Sequence, residues 1–187
     1  MAAAYLIGSI PFGVIVAKCA GIGDITKHGS GNVGATNLVR VGGRKLGALT
    51  FLLDFMKGFL PVTIYIVDNG IDVVALAGAI LCVTGHILPV FNRFKGGKGV
   101  ATGFGVVTAI NPVVGVVMLG LWLILFMATR ISSAAALFSF AMMPFVIFTV
   151  SKDPRLMVFG VVLSLIIYIC HLENIKRLLN GTEKSFK

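Results

Sequence analysis

The segment that decides the fold reads PVVGVVMLGLWLILFMA at residues 112–128, and it contains no charged side chain. A helix of this length rises about 26 Å, which is close to the roughly 30 Å hydrocarbon core of a bilayer. Further apolar segments of spanning length can be read at residues 2–18, 48–67, 72–91, 131–150 and 154–171. The sequence therefore predicts an all-α integral membrane helical bundle.

The composition supports the same class. The 187 residues are 57% hydrophobic and 12% charged, with a mean hydropathy of +1.00, whereas a soluble domain is typically about 25% charged. A net charge of +9 on so apolar a chain excludes a soluble nucleic-acid binder. It indicates anionic lipid headgroups, anionic substrates or a topology signal. The length predicts one domain over residues 1–187.

A shorter apolar segment at 98–110 ends at the sequence INP, residues 110–112. Pro112 disfavours a helical conformation at Asn111. The residues before this break rise about 20 Å, less than the hydrocarbon core. We expect a short span that other helices cover, or a re-entrant segment. Counting it gives about seven transmembrane helices, one of them short.

The basic residues predict the orientation of the chain. The start lacks the basic region of a secretory signal, which indicates a retained first span with the N-terminus outside. The connections then alternate, and 13 of the 16 Lys and Arg residues fall inside, with Lys152 and Arg155 outside and Lys57 within a span. This distribution follows the positive-inside rule and places the C-terminus in the cytoplasm. A basic active site on the inner side would produce the same bias.

The first inner segment runs from Cys19 to about Gly47 and contains SGNVGATNLVR at residues 30–40. Its glycines allow the backbone to approach a ligand closely. Ser30, Asn32 and Asn37 add hydrogen-bonding groups, and the guanidinium of Arg40 can bind a phosphate with two donors. The alternative is a re-entrant linker whose polar groups satisfy one another.

The second inner segment contains KGGKG at residues 95–99. Backbone amides in a glycine-rich loop, together with Lys98 as a point charge, suit a bound phosphate. The segment does not match a nucleotide-binding Walker A loop, because Asn92 stands where that pattern needs glycine and Gly99 where it needs Ser or Thr. A plain turn between helices is the alternative. Nearby, His86 is either a base or a hydrogen-bonded structural residue.

Two later inner segments are also polar. In TRISS, residues 129–133, either Ser132 or Ser133 can contact a ligand or cap a helix. In HLENIKRL, residues 171–178, a helix would place His171 and Asn174 on one face at i, i+3. The alternative for this last segment is an amphipathic tail at the membrane surface.

Asp54 and Lys57 are spaced i, i+3 within a predicted span. Unpaired charge inside a membrane is costly, so we expect a structural ion pair.

In five segments and in their order, the chain resembles the bacterial acyl-phosphate:glycerol-3-phosphate acyltransferase (PlsY) family: GSIPFG, SGNVGATNLVR, GHILPVFNRFKGGKGVAT, TRISS and HLENIKRL. The resemblance spans nearly the whole chain. It implies a seven-helix enzyme of the bacterial cytoplasmic (inner) membrane with a site that faces the cytoplasm. The implied reaction moves a fatty acyl group from acyl phosphate to the 1-hydroxyl of sn-glycerol 3-phosphate. It yields lysophosphatidic acid and phosphate, the first committed step of phospholipid synthesis, without acyl-CoA or acyl-carrier protein as donor.

The resemblance also implies residue roles by matching motif. The implied catalytic residues are Ser30, Arg40, Lys98, His171 and Asn174. The implied phosphate-binding residues are Gly96, Gly97, Gly99 and Ser133, with Ser132 as the alternative to Ser133, and Glu173 matches a structural position. We also predict that Asn32, Asn37 and His86, which lie in the polar inner segments, bind substrate.

The chemistry implied by the resemblance needs no covalent intermediate, because an acyl phosphate is already an activated mixed anhydride. The enzyme has to hold two anions, orient a hydroxyl and stabilise an oxyanion. We expect Arg40 and Lys98 to bind phosphate groups, and His171 with Asn174 to position glycerol phosphate. The proton acceptor is His171, His86 or a phosphate oxygen. We expect a monomer with membrane lipid around it and no cofactor, metal, nucleotide or nucleic acid.

The rival prediction is a membrane transporter of a phosphorylated metabolite. Transporters tend to place their sites near the bilayer midplane and to contain internal repeats. Here the polar residues gather at one predicted interface, and no repeat is apparent. The enzyme is therefore the favoured prediction.

Overall fold

The computed structural model describes residues 1–186, and all regular secondary structure in that part of the chain is helical. Two short 3₁₀ turns lie at Ile25–Lys27 and Val90–Asn92. The α-helices are α1 (Ala2–Gly8), α2 (Phe12–Cys19), α3 (Ala35–Gly42), α4 (Arg44–Asn69), α5 (Val73–Ile87), α6 (Val100–Ile110), α7 (Pro112–Thr129), α8 (Ser132–Val150), α9 (Pro154–Cys170) and α10 (Leu172–Leu179).

Five segments of the described chain are long and apolar enough to cross a membrane. They are α1 with α2, α4, α5 with the turn that follows it, α7 and α8. A sixth is present if α9 and α10, which are bent by 66° at their junction, form one span. The all-α integral membrane fold predicted from the sequence is confirmed, and α6 supplies the short apolar helix.

The first span is broken where the sequence predicted a continuous helix over 2–18. The break covers Ser9–Pro11, because Pro11 lacks an amide hydrogen and disfavours helix at Ile10. The Ser9 hydroxyl donates to the Tyr5 carbonyl at 2.8 Å, and the Lys57 ammonium donates to the Ile10 carbonyl at 2.7 Å. The Ile10 carbonyl in the break is thus satisfied by a protein group, as a membrane segment requires.

Two prolines inside long helices free carbonyl groups that other helices then satisfy. Pro61 in α4 cannot donate to the carbonyl of Lys57, and Cys82 Sγ of α5 lies 3.2 Å from that oxygen as its donor. Pro144 in α8 cannot donate to the carbonyl of Phe140, and the Ser164 hydroxyl of α9 donates to it at 2.6 Å. A freed backbone acceptor therefore becomes a tie between neighbouring helices.

The α6 helix is short but well covered. Eleven residues rise about 16 Å, and eight of them are buried. The chain breaks at Asn111 as predicted, because its side chain accepts hydrogen bonds from the amides of Val113 and Val114 at 3.1 Å and begins α7. On the facing helix, an added Cβ at Gly58 would lie 2.5 Å from the carbonyl oxygen of Thr102, so α4 and α6 approach through backbone.

The helices group into two compact units, one covering Met1–Ile110 and the other beginning at Asn111. In the first unit, α2, α3 and the turn between them share a buried cluster of Val16, Ala17, Ile25 and Leu38. In the second unit, α8 is tied to α7 and α9 by hydroxyl groups that donate to backbone carbonyls across the helix pairs. One domain over residues 1–187 stays a prediction.

Candidate active site

In the first unit, Asn37 organises the loop that carries Ser30. Its side chain is 1% exposed. Its Oδ1 accepts the Ser30 amide at 2.8 Å, and its Nδ2 donates to the carbonyls of Asn32 at 2.8 Å and His28 at 3.0 Å. These contacts give Asn37 a structural role, whereas the sequence placed it among the ligand donors. The sequence alternative, in which loop groups satisfy one another, therefore describes this residue.

The same loop depends on glycine and on Asn32. Gly29 has a φ of +63°, and an added Cβ there would overlap Asn37 Oδ1, so a larger residue is excluded. Asn32 Oδ1 accepts the Gly34 amide at 2.8 Å, directly before α3 begins. The Ser30 side chain is exposed beside this frame, and Arg40 is half-buried on α3.

The predicted ion pair is present on α4. Lys57 Nζ lies 2.8 Å from Asp54 Oδ1, and both side chains are 3% exposed. His86 of α5 joins the pair, with its Nδ1 at 3.5 Å from the same carboxylate oxygen. Two full charges so deeply buried are tolerated because they neutralise each other.

The glycine loop lies directly before α6. Arg93 and Phe94 have left-handed φ angles of 51° and 59°, and they turn the chain into the loop. Gly99 is also left-handed, with a φ of +83°, and ends the loop at the start of α6. The Gly97 amide donates to the His86 carbonyl at 3.1 Å. This holds the backbone on the N-terminal side of Lys98, which is half-buried.

His86 is 7% exposed, and its described contacts are with protein groups. One ring nitrogen faces Asp54, and an added Cβ on Gly97 would overlap the other, Nε2. The sequence counted His86 as a substrate-binding residue, with a hydrogen-bonded structural role as the alternative. The described contacts of the ring are with Asp54 and Gly97, and the substrate-binding role of His86 stays a prediction.

In the second unit, Glu183 brings together two of the predicted site residues. Its Oε1 accepts hydrogen bonds from the Ser133 hydroxyl at 2.7 Å and from the side-chain Nδ2 of Asn174 at 2.6 Å, while its Oε2 accepts one from Arg177 Nε at 2.6 Å. Burial opposes ionisation, but the hydrogen bonds from Ser133, Arg177 and Asn174 outweigh it. The pKa of the Glu183 carboxyl therefore lies below its usual value.

Glu183 was not among the residues predicted from the sequence, whereas Glu173 was predicted to be a structural carboxylate. The Glu173 side chain is 72% exposed and pairs with Lys176 at 2.8 Å. Glu183 follows the end of α10, where no helical spacing connects it to Asn174. The available signal was only that an acidic residue is rare in this basic chain, with 7 Asp and Glu against 16 Lys and Arg.

His171 lies at the bend between α9 and α10 and is 3% exposed. Its Nδ1 is 2.8 Å from the Ile167 carbonyl, an acceptor, so Nδ1 carries the hydrogen of this bond. Asn174, 5% exposed, follows one helical turn later. Of the two adjacent serines, Ser133 is buried and contacts Glu183, whereas Ser132 is half-buried at the start of α8.

Each unit, taken by itself, contains groups suited to anions. The first holds Arg40 and the Lys98 loop, and the second holds Ser133, His171 and Asn174. A family model described as glycerol-3-phosphate acyltransferase matches residues 1–181. The chain belongs to the glycerol-3-phosphate acyltransferase family.

Curated members of this family cover nearly the whole chain. The glycerol-3-phosphate acyltransferase of Aquifex aeolicus (strain VF5) is 43% identical over 185 residues, covering 98% of this chain and 95% of the relative. That of Sinorhizobium fredii (strain NBRC 101917 / NGR234) is 42% identical over 186 residues, covering 98% and 89%. The family resemblance inferred from the motifs is confirmed.

Two crystal structures of PlsY (YgiH), an integral membrane glycerol 3-phosphate acyltransferase, share the fold. The glycerol 3-phosphate form has a TM-score of 0.94 at 43% identity, and the lysophosphatidic acid form has a TM-score of 0.91 at 42% identity. Both comparisons cover 98% of this chain and 92% of the solved chain. The acyltransferase fold therefore extends over nearly all of the sequence.

Proposed function

We propose that this chain transfers a fatty acyl group from acyl phosphate to the 1-hydroxyl of sn-glycerol 3-phosphate, releasing lysophosphatidic acid and phosphate. One observation carries the proposal. A PlsY structure of the same fold and 43% identity has been solved in a glycerol 3-phosphate form, and another in a lysophosphatidic acid form. These two molecules are the acceptor and the product of such a transfer.

The predicted residues suit this reaction. The hydroxyl oxygen of glycerol 3-phosphate attacks the acyl carbonyl carbon, and the bond from that carbon to the phosphate oxygen breaks with its electron pair leaving on phosphate. The hydroxyl proton passes to His171 or to a phosphate oxygen. Arg40, Lys98 and the amides around Gly97 neutralise phosphate charge, while His171 and Asn174 orient the acceptor. Ser30 hydrogen-bonds the substrate directly, and Ser133, whose hydroxyl hydrogen is donated to Glu183, accepts a hydrogen bond from a substrate hydroxyl.

We further propose that the protein acts as a monomer in the bacterial cytoplasmic (inner) membrane, with the site on the cytoplasmic side and the N-terminus outside. The distribution of Lys and Arg supports this orientation, with 13 residues on the predicted inner side against Lys152 and Arg155 outside. A cytoplasmic site would also face soluble glycerol 3-phosphate.

The choice of donor tests the proposal. Purified protein in detergent is supplied with glycerol 3-phosphate and either palmitoyl phosphate or palmitoyl-CoA, and the products are separated by chromatography. We expect lysophosphatidic acid acylated at the 1-position from palmitoyl phosphate, with one phosphate released per product and no need for ATP. Equal rates with palmitoyl-CoA would contradict the proposed donor.

A further inference from the structure

We propose that His86 is a positioning residue, which connects the buried Asp54–Lys57 pair to the glycine loop and thereby sets the place of Gly97 and of the neighbouring Lys98. The inference rests on the proposed function, because the position of the loop matters to activity only if the loop binds a substrate phosphate. It gives His86 a role that depends on protein contacts and needs no contact with substrate.

The ion pair is a fixed anchor for such a connection. Lys57 Nζ forms an ion pair with Asp54 Oδ1 at 2.8 Å and donates a hydrogen bond to the Ile10 carbonyl at 2.7 Å in the break between α1 and α2. The carbonyl of Lys57 is itself bonded to Cys82 of α5 at 3.2 Å. Moving any one member would leave charge or backbone unsatisfied in a membrane span, which is costly.

His86 faces this anchor with one edge of its ring. Its Nδ1 is buried and has no hydrogen-bond partner within residues 1–186, and the Asp54 carboxylate lies 3.5 Å away. Asp54 Oδ1 is the acceptor toward which that nitrogen can donate with a shift of a few tenths of an ångström. The ring therefore has a preferred orientation, with Nδ1 toward Asp54 and Nε2 on the opposite side.

The opposite edge of the ring meets Gly97. A Cβ added to Gly97 would overlap His86 Nε2 and lie 3.0 Å from Cε1 and 3.2 Å from Cδ2. The backbone of His86 also holds this residue, since its carbonyl accepts the Gly97 amide at 3.1 Å. Both the side chain and the main chain of His86 thus define where Gly97 lies, one residue before Lys98.

Gly96 offers a matched comparison. A Cβ there would meet the carbonyl oxygens of His86 and Ile87 and the Cδ atom of Pro89, the last at 2.6 Å. These are backbone and proline atoms, which shortening the His86 side chain does not remove. Neither of these adjacent glycines has room for a side chain, but the obstructing atoms differ. Only at Gly97 is the obstruction the imidazole of His86.

A double-mutant cycle tests the connection. Gly97→Ala is made in the wild-type chain and in His86→Ala and His86→Asn chains, and kcat and KM for glycerol 3-phosphate are measured at equal folded yield. We expect Gly97→Ala alone to raise KM about tenfold to a hundredfold by displacing the loop. In either His86 variant the same substitution should raise KM less than about threefold, because the ring that the new Cβ meets is gone.

The controls separate positioning from stability. Gly96→Ala should raise KM by the same factor in all three backgrounds. His86→Asn keeps a donor of similar reach for Asp54, so it should restore the melting temperature relative to His86→Ala while KM stays raised. Equal penalties for Gly97→Ala in all backgrounds, or a His86→Ala variant with unchanged KM, would overturn the proposal.

Two further readouts do not depend on activity, and the second of them needs no variant. The melting temperatures of the same cycle report the contact between His86 and Gly97 even if the wild type forms no lysophosphatidic acid, which would count against the proposed function alone. In the wild-type protein, the Gly97 amide, which donates to the His86 carbonyl, should exchange its hydrogen more slowly than the amide of Gly96. Equally fast exchange at the two amides would contradict the held loop.

Discussion

Lys98 follows Gly97 in the chain, but substituting Lys98 should lower activity by removing a charge rather than by displacing the loop. Lys98→Ala removes a charge-assisted contact with a substrate phosphate, worth about 1.5–3 kcal/mol or roughly tenfold to a hundredfold in kcat/KM. Lys98→Arg should recover only part of the loss, because a planar guanidinium does not replace a compact ammonium. Steady-state kinetics at matched folded yield measure both.

The control for this prediction is Lys95→Ala, at the exposed start of the same loop. It changes the net charge equally, and we expect less than about a threefold effect, in the range of a screened surface charge. A Lys98→Ala enzyme with wild-type kinetics would remove this loop from the active site and favour the plain-turn alternative.

Glu183 makes a pH-dependent contribution to stability. Because the pKa of its carboxyl is lower in the folded protein than its ordinary value of 4.5, the contribution is complete above that value and is lost as pH falls through the lowered pKa. Glu183→Gln removes the charged partner of Arg177 and should cost about 1–3 kcal/mol at neutral pH. Thermal unfolding at several pH values should show the difference from wild type shrinking on acidification.

Glu173→Gln is the matched control, since that carboxylate is 72% exposed and its pair with Lys176 lies at the surface. It should leave the melting temperature nearly unchanged. If the difference in melting temperature between Glu183→Gln and wild type were the same at every pH, the charge of Glu183 would not contribute to stability.

At the scale of single residues, the sequence could identify polar residues but could not identify their hydrogen-bonding partners. It selected Asn37 and His86 as polar residues of glycine-rich segments, but their contacts with buried protein groups became visible only in the fold. Glu183 was not predicted, because the Ser133 hydroxyl that donates a hydrogen bond to it lies 50 residues earlier in the chain. Local spacing carries no information about such long-range partners.

At the scale of helices, the proline-freed carbonyl of α8 gives a testable interaction. Ser164→Ala removes the hydroxyl that donates to the Phe140 carbonyl at 2.6 Å. It should cost about 0.5–2 kcal/mol, the range for hydrogen bonds inside membrane proteins. In a Pro144→Ala background the cost should be smaller, because the introduced alanine supplies a backbone amide to the same carbonyl. Thermal unfolding of the four proteins in detergent measures the cycle.

Thr84→Ala is the comparison for that cycle. Its hydroxyl donates to the Ile80 carbonyl at 2.9 Å within α5, which contains no proline. It should therefore cost the same with or without Pro144. An equal cost of Ser164→Ala in both backgrounds would mean that the serine does not compensate for the proline.

The helices themselves were largely predictable, because long uncharged segments allow little else in a membrane. The break at Asn111 was predictable from proline chemistry as well. The break at Ser9–Pro11 was not recognised, although the same chemistry applies, since the apolar run through 2–18 masked it. Helix α3 and the start of α4 at Arg44 were missed because their polar, glycine-rich sequence has the composition of a loop.

At the scale of the whole molecule, orientation is open to direct measurement. The background is a cysteine-free variant in which Cys82→Ser keeps a hydrogen-bond donor for the backbone carbonyl of Lys57. Single cysteines are then introduced into this background as Lys27→Cys, Lys95→Cys or Lys176→Cys. All three positions should react with a membrane-impermeant maleimide only from the cytoplasmic side, and Lys152→Cys only from outside. Labelling of any of the first three from outside alone would contradict a shared cytoplasmic site.

The family was predictable from the sequence because five motifs in a fixed order are far more specific than any one of them. A single glycine-rich loop such as KGGKG is compatible with a turn, and a single residue such as His171 with an amphipathic tail. Composition alone indicated only a basic membrane protein that binds anions. The distinction between an enzyme and a transporter came from the combination of motifs and from the relatives that share it.

The most direct test of the central claim uses purified protein in liposomes with radiolabelled glycerol 3-phosphate and palmitoyl phosphate. The label is followed into lipid extract and into the vesicle lumen. If the chain is the proposed acyltransferase, label appears as lysophosphatidic acid only when palmitoyl phosphate is present, and no unmodified glycerol 3-phosphate accumulates inside. Accumulation of intact glycerol 3-phosphate in the lumen without any labelled lipid would contradict the claim.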